Sequence, residues 1–534
     1  MSGRAEHLTE APASQNMAGT YFHAANPIKE GRQSNWTPGQ KFTLRVAVIF
    51  FLIMSIPWSG DWYSNLFGID WMHIHYRDIY DIARFNPSFV RFSNPLYNLS
   101  GYADWILILI VSFIGGGIWT LIESKKSNLN YDNLYYWIRV VARYRAGIGI
   151  IGFGYTKLFP TQMPYPSLGL LNTNFGDFTA QKIYWLSVGI VPWYQVFAGV
   201  VELAAGTLLF FRKTTTVGAL MLLSALGDIT YVNFAYDGGV HVYASYFVLF
   251  AVFLLWYDAV PVYNLLVKER FTIPRSYIPS FSQKWLRFAR VSLKTATIFI
   301  FLVYLFYAEV LNFNYDPYKQ PALKGVSALR GNYHVNEFRI NGKDIPYSPL
   351  DSVRWQDVTF EKWSTLAYNV NKPVKLDLSN GGGSPMRDIN RTFELTGTGG
   401  GKRVFYYDAD TITHTLYLQD KYVEARSQRK TESKSKPASK KEDNWIPKEA
   451  LAHIGDENLK LDATALSGRR TKGIEEEKKD KRKRNRMILQ YTTEDGNHVV
   501  LTGVDENKNS VYIVLDRYHK NYILKDSKLV AGKY

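Results

Sequence analysis

VHVYASYFVLFAVFLLWY, residues 240–257, runs for eighteen positions without an Asp, Glu, Lys or Arg. About 20 mostly apolar residues cross a hydrocarbon core of about 30 Å, so this stretch reads as a membrane span. Six more stretches of similar character accompany it: residues 42–58, 103–122, 135–159, 184–211, 216–236 and 290–311, with 135–159 and 216–236 the weakest. The expected fold class is a polytopic α-helical membrane protein of about seven spans, followed by a C-terminal soluble all-β domain.

Basic residues in short connections set the orientation of such a chain. Lys41 and Arg45 precede the first stretch, Lys125 and Lys126 follow the second, Arg212 and Lys213 separate the fourth and fifth, and Lys268, Arg270, Arg275, Lys284 and Arg287 precede the seventh. All fall on one side, which makes the N-terminus cytoplasmic and places everything after residue 311 outside. Arg77, Arg84 and Arg91 in the outer segment 61–101 reduce the asymmetry without reversing it. Trp58, Trp62, Trp105, Trp137, Trp185, Trp193, Trp256 and Trp285 cluster at the ends of the stretches, as an interfacial belt requires. The polar first 40 residues hold no apolar core with a cleavage site, so the first span is expected to act as an uncleaved anchor.

Beyond residue 311 the pattern changes to short β-prone runs, including SVRWQDVTF, KRVFYYD, HTLYLQD, HVVLTGV and SVYIVLD, separated by turn signals such as INGKD, TGTGGGK and EDGN. A β-sandwich or small barrel is expected over residues 312–534, interrupted by a charged, disordered insertion around 426–486. The remaining units are a cytoplasmic segment 1–40, two helices with a long outer loop over 41–132, a four-helix bundle over 133–265, and a cytoplasmic loop plus final helix over 266–311.

The formal net charge of +16 is concentrated in low-complexity runs mixed with Glu and Ser, which read as solvated loops or a contact to lipid headgroups and leave no nucleic-acid partner. Cysteine is absent, which excludes dithiol redox chemistry and iron–sulfur ligation; any redox role needs a bound organic cofactor.

Three segments carry a family likeness: RYRAGIGIIGFGYTKLFPTQMPYPS, GVVELAAGTLLFFRKTTTVGALMLL and VNFAYDGGVHVYASYFVLFAVFLLWYD. Over about 125 residues the chain resembles the DoxX family of bacterial membrane proteins, in the long form with two helices in front and a β domain behind. The same segments are similar to the horizontally transferred transmembrane domain related to vitamin K-dependent carboxylases. The DoxX resemblance implies a bacterial cytoplasmic (inner) membrane location. Because some members are described as subunits of a quinone-reducing enzyme, it also implies quinone as a cofactor or substrate.

Charged groups at membrane depth pair or line a polar cavity. Arg145 and Glu202, at similar depth on antiparallel spans and with Arg143 near, are expected to form an intramembrane ion pair, either an anion or proton site or a pair that fixes helix register. Nearer the outer face, Lys157, Asp228, Asn233, Tyr236, Asp237 and His241 form a candidate cavity layer. Lys and His there could protonate a quinone or another small amphiphile; the plain alternative is that they sit at the headgroups. GIGIIGFG spaces small residues for helix packing and is no phosphate loop. His73 and His75 lack further ligands for a metal, and His334, His414, His498 and His519 are scattered through the β domain. Two functions remain open: a quinone-linked membrane oxidoreductase or its membrane subunit, and a non-enzymatic anchor that presents the β domain to a periplasmic protein or envelope partner.

Overall fold

The computed structural model describes residues 36–90, 99–123, 129–272, 277–279, 281–423, 445–470, 484–525 and 527–534. Most of the expected N-terminal segment, the basic residues Lys125, Lys126 and Arg275, Arg91, and residues 426–444 and 471–483 of the expected charged insertion lie outside the described residues.

The helical half comprises α1 (Pro38–Ser55), α2 (Gly60–Phe67), α3 (Tyr76–Ala83), α4 (Ser100–Glu123), α5 (Tyr131–Leu158), α6 (Leu168–Leu171), α7 (Ala180–Gly189), α8 (Pro192–Leu209), α9 (Thr215–Ala235) and α10 (His241–Leu266). It ends in α11 (Lys284–Ile298) and α12 (Leu305–Tyr315), joined without a break through a π-helical stretch, Phe299–Tyr304. Sequence signals explain the boundaries: Thr37 and Gln40 form a capping box on α1, and Asn130 caps α5.

Among the described residues, five helices are long and apolar enough to cross a membrane, Pro38–Ser55, Gly101–Glu123, Arg212–Ala235, His241–Leu266 and the continuous Lys284–Tyr315, or six if the bent pair Ala180–Gly189 and Pro192–Leu209 is one span. Two of the seven expected spans depart from this pattern. Residues 135–159 lie in α5, whose Arg139, Arg143, Arg145 and Lys157 leave it too polar to qualify; it is the hub of the domain, packed against α8, α1, α10, α3 and α12. Residues 184–211 form two helices, not one. α7 and α8 meet at 91°, because Val191 precedes Pro192 and is driven out of helical geometry (φ −123°, ψ 73°). The loop expected on the outer side is structured as well: Tyr76, Ile79, Tyr80 and Ala83 of α3 are buried in a cluster with Ile151, Tyr155 and Leu305.

The C-terminal half is a closed antiparallel barrel. Strands β1 (Gly331–Ile340), β3 (Trp355–Phe360), β4 (Thr365–Val370), β5 (Lys402–Asp410), β6 (Thr415–Asp420), β7 (Arg486–Thr492), β8 (His498–Val504) and β9 (Ser510–Tyr518) each pair with their neighbours in this order, and β1 pairs with β9 to close the ring. A short β2 (Lys343–Asp344) folds back on the end of β1. An eight-stranded ring has an interior that side chains can fill, and here Tyr333, Phe360, Tyr407, Leu418, Leu489, Leu501 and Ile513 do so, with Trp355 stacked on Tyr368 at 3.8 Å.

The two sides of the barrel differ. β7 alternates buried and exposed residues, as a strand with one wet face must, whereas β4 and β5 are buried nearly throughout because Leu323, Ile389, Leu395, Tyr422 and Leu461, from segments outside the strands, cover Ala367, Val404 and Tyr406 on their outer face. The charged insertion also differs from expectation. Within it, residues 445–470 are folded: Ile446, Ala450 and Ile454, on and beside a short helix (Lys448–Ile454), pack on Tyr417 of β6.

Candidate functional site

α5 and α8 are held close by small residues. A Cβ at Gly147 would lie 2.9 Å from the Gly206 carbonyl oxygen, and one at Gly154 would strike Leu203. This contact fixes the face of α5 that α8 sees. At 3.6 residues per turn Arg145 lies about 160° around the helix from Gly147, and Arg143 only about 40°.

Arg145 therefore points away from α8, and the expected Arg145–Glu202 pair is not formed. Its guanidinium donates instead to the carbonyls of Ala83 (3.1 Å) and Phe85 (2.5 Å) at the C-terminal end of α3, lying over the Phe85 ring. Arg143 points toward α8 and donates to the Leu209 carbonyl at 2.9 Å, the last residue of that helix. Both arginines thus satisfy carbonyls that a helix end leaves without intrahelical donors.

Glu202 pairs with Lys157, so one member of each expected group meets the other. Both are buried, and the second carboxylate oxygen of Glu202 has no partner among the described residues. The outer layer does not assemble as one set. His241 is buried against Phe234 and Tyr102, Asn233 donates to the Ile229 carbonyl of its own helix, and Asp228, Tyr236 and Asp237 are exposed. Tyr236 stacks on Tyr184.

The densest set of buried charges lies where the helical half meets the barrel. Asp316, which ends α12, receives Arg391 and, at 3.2 Å, Arg470. Arg470 reaches on to Glu457 at 2.9 Å, Glu457 to Arg387 at 2.6 Å, and Arg391 lies 3.5 Å from Asp388. Arg391 also donates to the carbonyls of Pro317, Gln320 and Met386. Asp388 accepts from the backbone N–H groups of Ala322 and Leu323. On the helical side, Arg469 bonds Asp81 at 2.6 Å and the Arg77 carbonyl at 2.9 Å. His75 faces the other oxygen of Asp316 at 3.5 Å. Burial pushes the Asp316 carboxyl upward, but Arg391 and Arg470 outweigh it and hold it well below the usual carboxylate range. Burial pushes His75 down, against a smaller opposing pull from Asp316.

A second clamp joins the segment after α5 to the barrel wall. Glu361, beyond β3, accepts from the Leu168 and Gly169 N–H groups at 3.1 and 2.8 Å, and Lys402 of β5 donates to the Gly169 carbonyl at 2.6 Å. Burial lowers Lys402 to about 8 despite Glu361 and Glu394. Nearby, Glu394 accepts from Trp363 and Lys421.

None of these junction residues was singled out from the sequence except His75, considered there only for a metal. Among the described residues no group of three or more His, Asp or Glu side chains is placed to hold a metal ion. One signal for the junction was present: NWIPKEALAHIGD places apolar residues at helical spacing inside the charged insertion, with Pro447 before and Gly455 after the helix, a folded stop just ahead of Arg469 and Arg470.

No family model matches this chain, and no solved structure matches it. Among curated proteins it is similar to the uncharacterized protein YwoB of Bacillus subtilis (strain 168), at 29% identity over 76 residues, 14% of this chain and 49% of that protein. The chain thus spans about half the length of this relative.

Proposed function

We propose that the chain is a DoxX-like multi-pass protein of the bacterial cytoplasmic membrane, whose helices anchor the barrel at the outer face and present it to a protein or envelope partner. The observation that carries this reading is the buried ionic joint of Asp316, Arg391, Arg470 and Glu457. A domain that only needs tethering requires a linker; a domain bolted to the end of the last apolar helix is held at a set height and orientation. The filled barrel interior leaves recognition to the outer wall, and the side away from the helical half exposes Arg486, Gln490, Thr492 and His498. Exposed Ile106, Ile110, Phe113, Ile114 and Ile118 along α4 suit a lipid-facing surface.

Reporter fusions test the arrangement: one after Tyr534 is active only outside the cytoplasm, and one after Lys126 only inside. The opposite pattern moves the barrel to the cytosol and ends the reading. A chain lacking residues 316–534 loses all function if it is an anchor; a helical remnant with full function rejects the anchor role.

A quinone-linked oxidoreductase is the second reading, favoured by the buried Lys157–Glu202 pair with its unpartnered oxygen. Stoichiometric quinone in the purified protein supports it. Absence of quinone, with no quinone reduction in reconstituted membranes, rejects it.

A further inference from the structure

Among the described residues, five buried glutamates have a cation or a pair of N–H donors at contact range. Glu123 faces Arg45, Glu202 faces Lys157, Glu394 faces Lys421, Glu457 faces Arg387 and Arg470, and Glu361 takes two backbone N–H groups. Glu309, in α12, is the exception. It is 0% exposed, one oxygen accepts only from the Asn312 amide at 3.2 Å, and the other has no partner among the described residues.

Its surroundings are polar but not cationic at contact range. Asn312 accepts from the Ser384 hydroxyl at 3.0 Å, and Ser384 lies 3.4 Å from the Tyr76 hydroxyl, so a line of polar groups runs from α12 through the barrel loop to α3. Arg77 follows Tyr76 on α3, and its charge is engaged by Asp81 at 3.0 Å. From α5, Tyr155 donates to the Leu302 carbonyl at 2.6 Å, inside the π-helical stretch that precedes α12. Such stretches concentrate at functional positions, and Glu309 lies five residues beyond the end of this one.

An ionised carboxylate offers about four acceptor sites, and one amide cannot fill them. Burying that charge without a paired cation is so costly that the group takes up a proton instead. We propose that Glu309 is a proton-binding site at the junction of helices and barrel, a neutral carboxylic acid joined through Asn312 and Ser384 to Tyr76. The ligand is the proton itself, and the site is separate from the Lys157–Glu202 pair and from the ionic joint.

Infrared spectroscopy of the full-length protein in membranes tests this at neutral pH. Wild type shows the carbonyl band of a protonated acid that shifts in D2O, is lost in Glu309→Gln, persists in Glu202→Gln and moves in Asn312→Leu. Dicyclohexylcarbodiimide gives an independent readout. The acid oxygen bonds the carbodiimide carbon, the proton passes to nitrogen, and the acyl group then migrates there, leaving an adduct that mass spectrometry maps to Glu309. Labelling is expected at neutral pH, falling as pH rises and indifferent to Na+. Absence of both band and adduct in folded wild-type protein overturns the proposal. Protection by Na+ overturns it too, because the site would then hold a metal cation.

Discussion

Two buried arginines of α5 and the buried arginines at the junction with the barrel are satisfied in different ways. On α5, Arg143 and Arg145 reach no carboxylate among the described residues, unlike Arg45 of α1, which faces Glu123; each is spent on backbone carbonyls at the end of another helix. At the junction, Arg391 and Arg470 sit in a mesh with Asp316, Asp388 and Glu457. A cation that caps a helix stabilises one local geometry. A mesh that shares carboxylates among residues 316, 388, 391, 457 and 470 ties distant segments into one unit, and it fails as a unit.

The largest expected effect follows. Arg391→Met leaves Asp316 and Asp388 short of their shared cation in a fully buried setting, and is expected to cost about 3–5 kcal/mol. Arg145→Met frees carbonyls at one helix end and is expected to cost about 1–3 kcal/mol. Thermal unfolding of the purified protein with limited proteolysis between the halves compares them: only Arg391→Met should release the barrel as a separate fragment. Equal cost and equal cleavage would erase the contrast.

A smaller effect tests where the bundle does use an ion pair. Glu202→Gln strands Lys157 and is expected to cost about 3 kcal/mol, part of which Lys157→Met in the same chain restores. Arg145→Met and Glu202→Gln should instead add to within about 0.5 kcal/mol, since they share no partner. A double-mutant cycle that couples Arg145 to Glu202 would contradict the arrangement of α5.

Much of the architecture was legible in the chain, because long apolar runs and period-two strands are local signals. The closed barrel was one of two expected β forms, and five apolar helices appear where runs were read. What escaped depends on rotation about helix axes and on contacts between distant segments. Depth along a span placed Glu202 with Arg145 and put Lys157 in a separate outer layer, whereas Lys157 and Glu202 are in contact. Depth alone does not say which face of α5 meets α8, and that face is set by Gly147 and Gly154. Extending one helix across residues 184–211 also misjudged where α8 begins, though Pro192 was there to mark it. The ionic joint was invisible for a different reason: Arg469 and Arg470 stand in a charge-rich stretch whose composition resembles a solvated loop, and only the apolar helix before it hints at a fold.

The smallest effect is a pH dependence centred on His75, at the edge of the joint. Its Nδ1 accepts the Arg77 N–H at 3.2 Å, and Asp78 accepts the His75 N–H at 2.8 Å, a reciprocal cap on α3. With Nδ1 used as an acceptor, the hydrogen-bond pattern assigns the proton of the neutral ring to Nε2, which faces Asp316 at 3.5 Å. A second proton would have to enter at Nδ1 and break the cap, and burial already disfavours it, so the folded protein holds this ring below the ordinary histidine value of about 6.5. The unfolded chain then binds the proton first as pH falls. Stability is complete above about pH 6.5 and is lost progressively below it, toward the lower value of the folded ring. Asp316, also depressed, adds its own loss only below the usual carboxylate value of about 3.9, so the loss that begins near pH 6.5 is due to His75 and not to Asp316. His75→Asn keeps an acceptor suited to a helix N-cap but removes the titration. The variant should match wild type near pH 8 and hold its melting temperature as pH is lowered to about 5, while wild type declines; parallel curves would show that the ring does not titrate with folding.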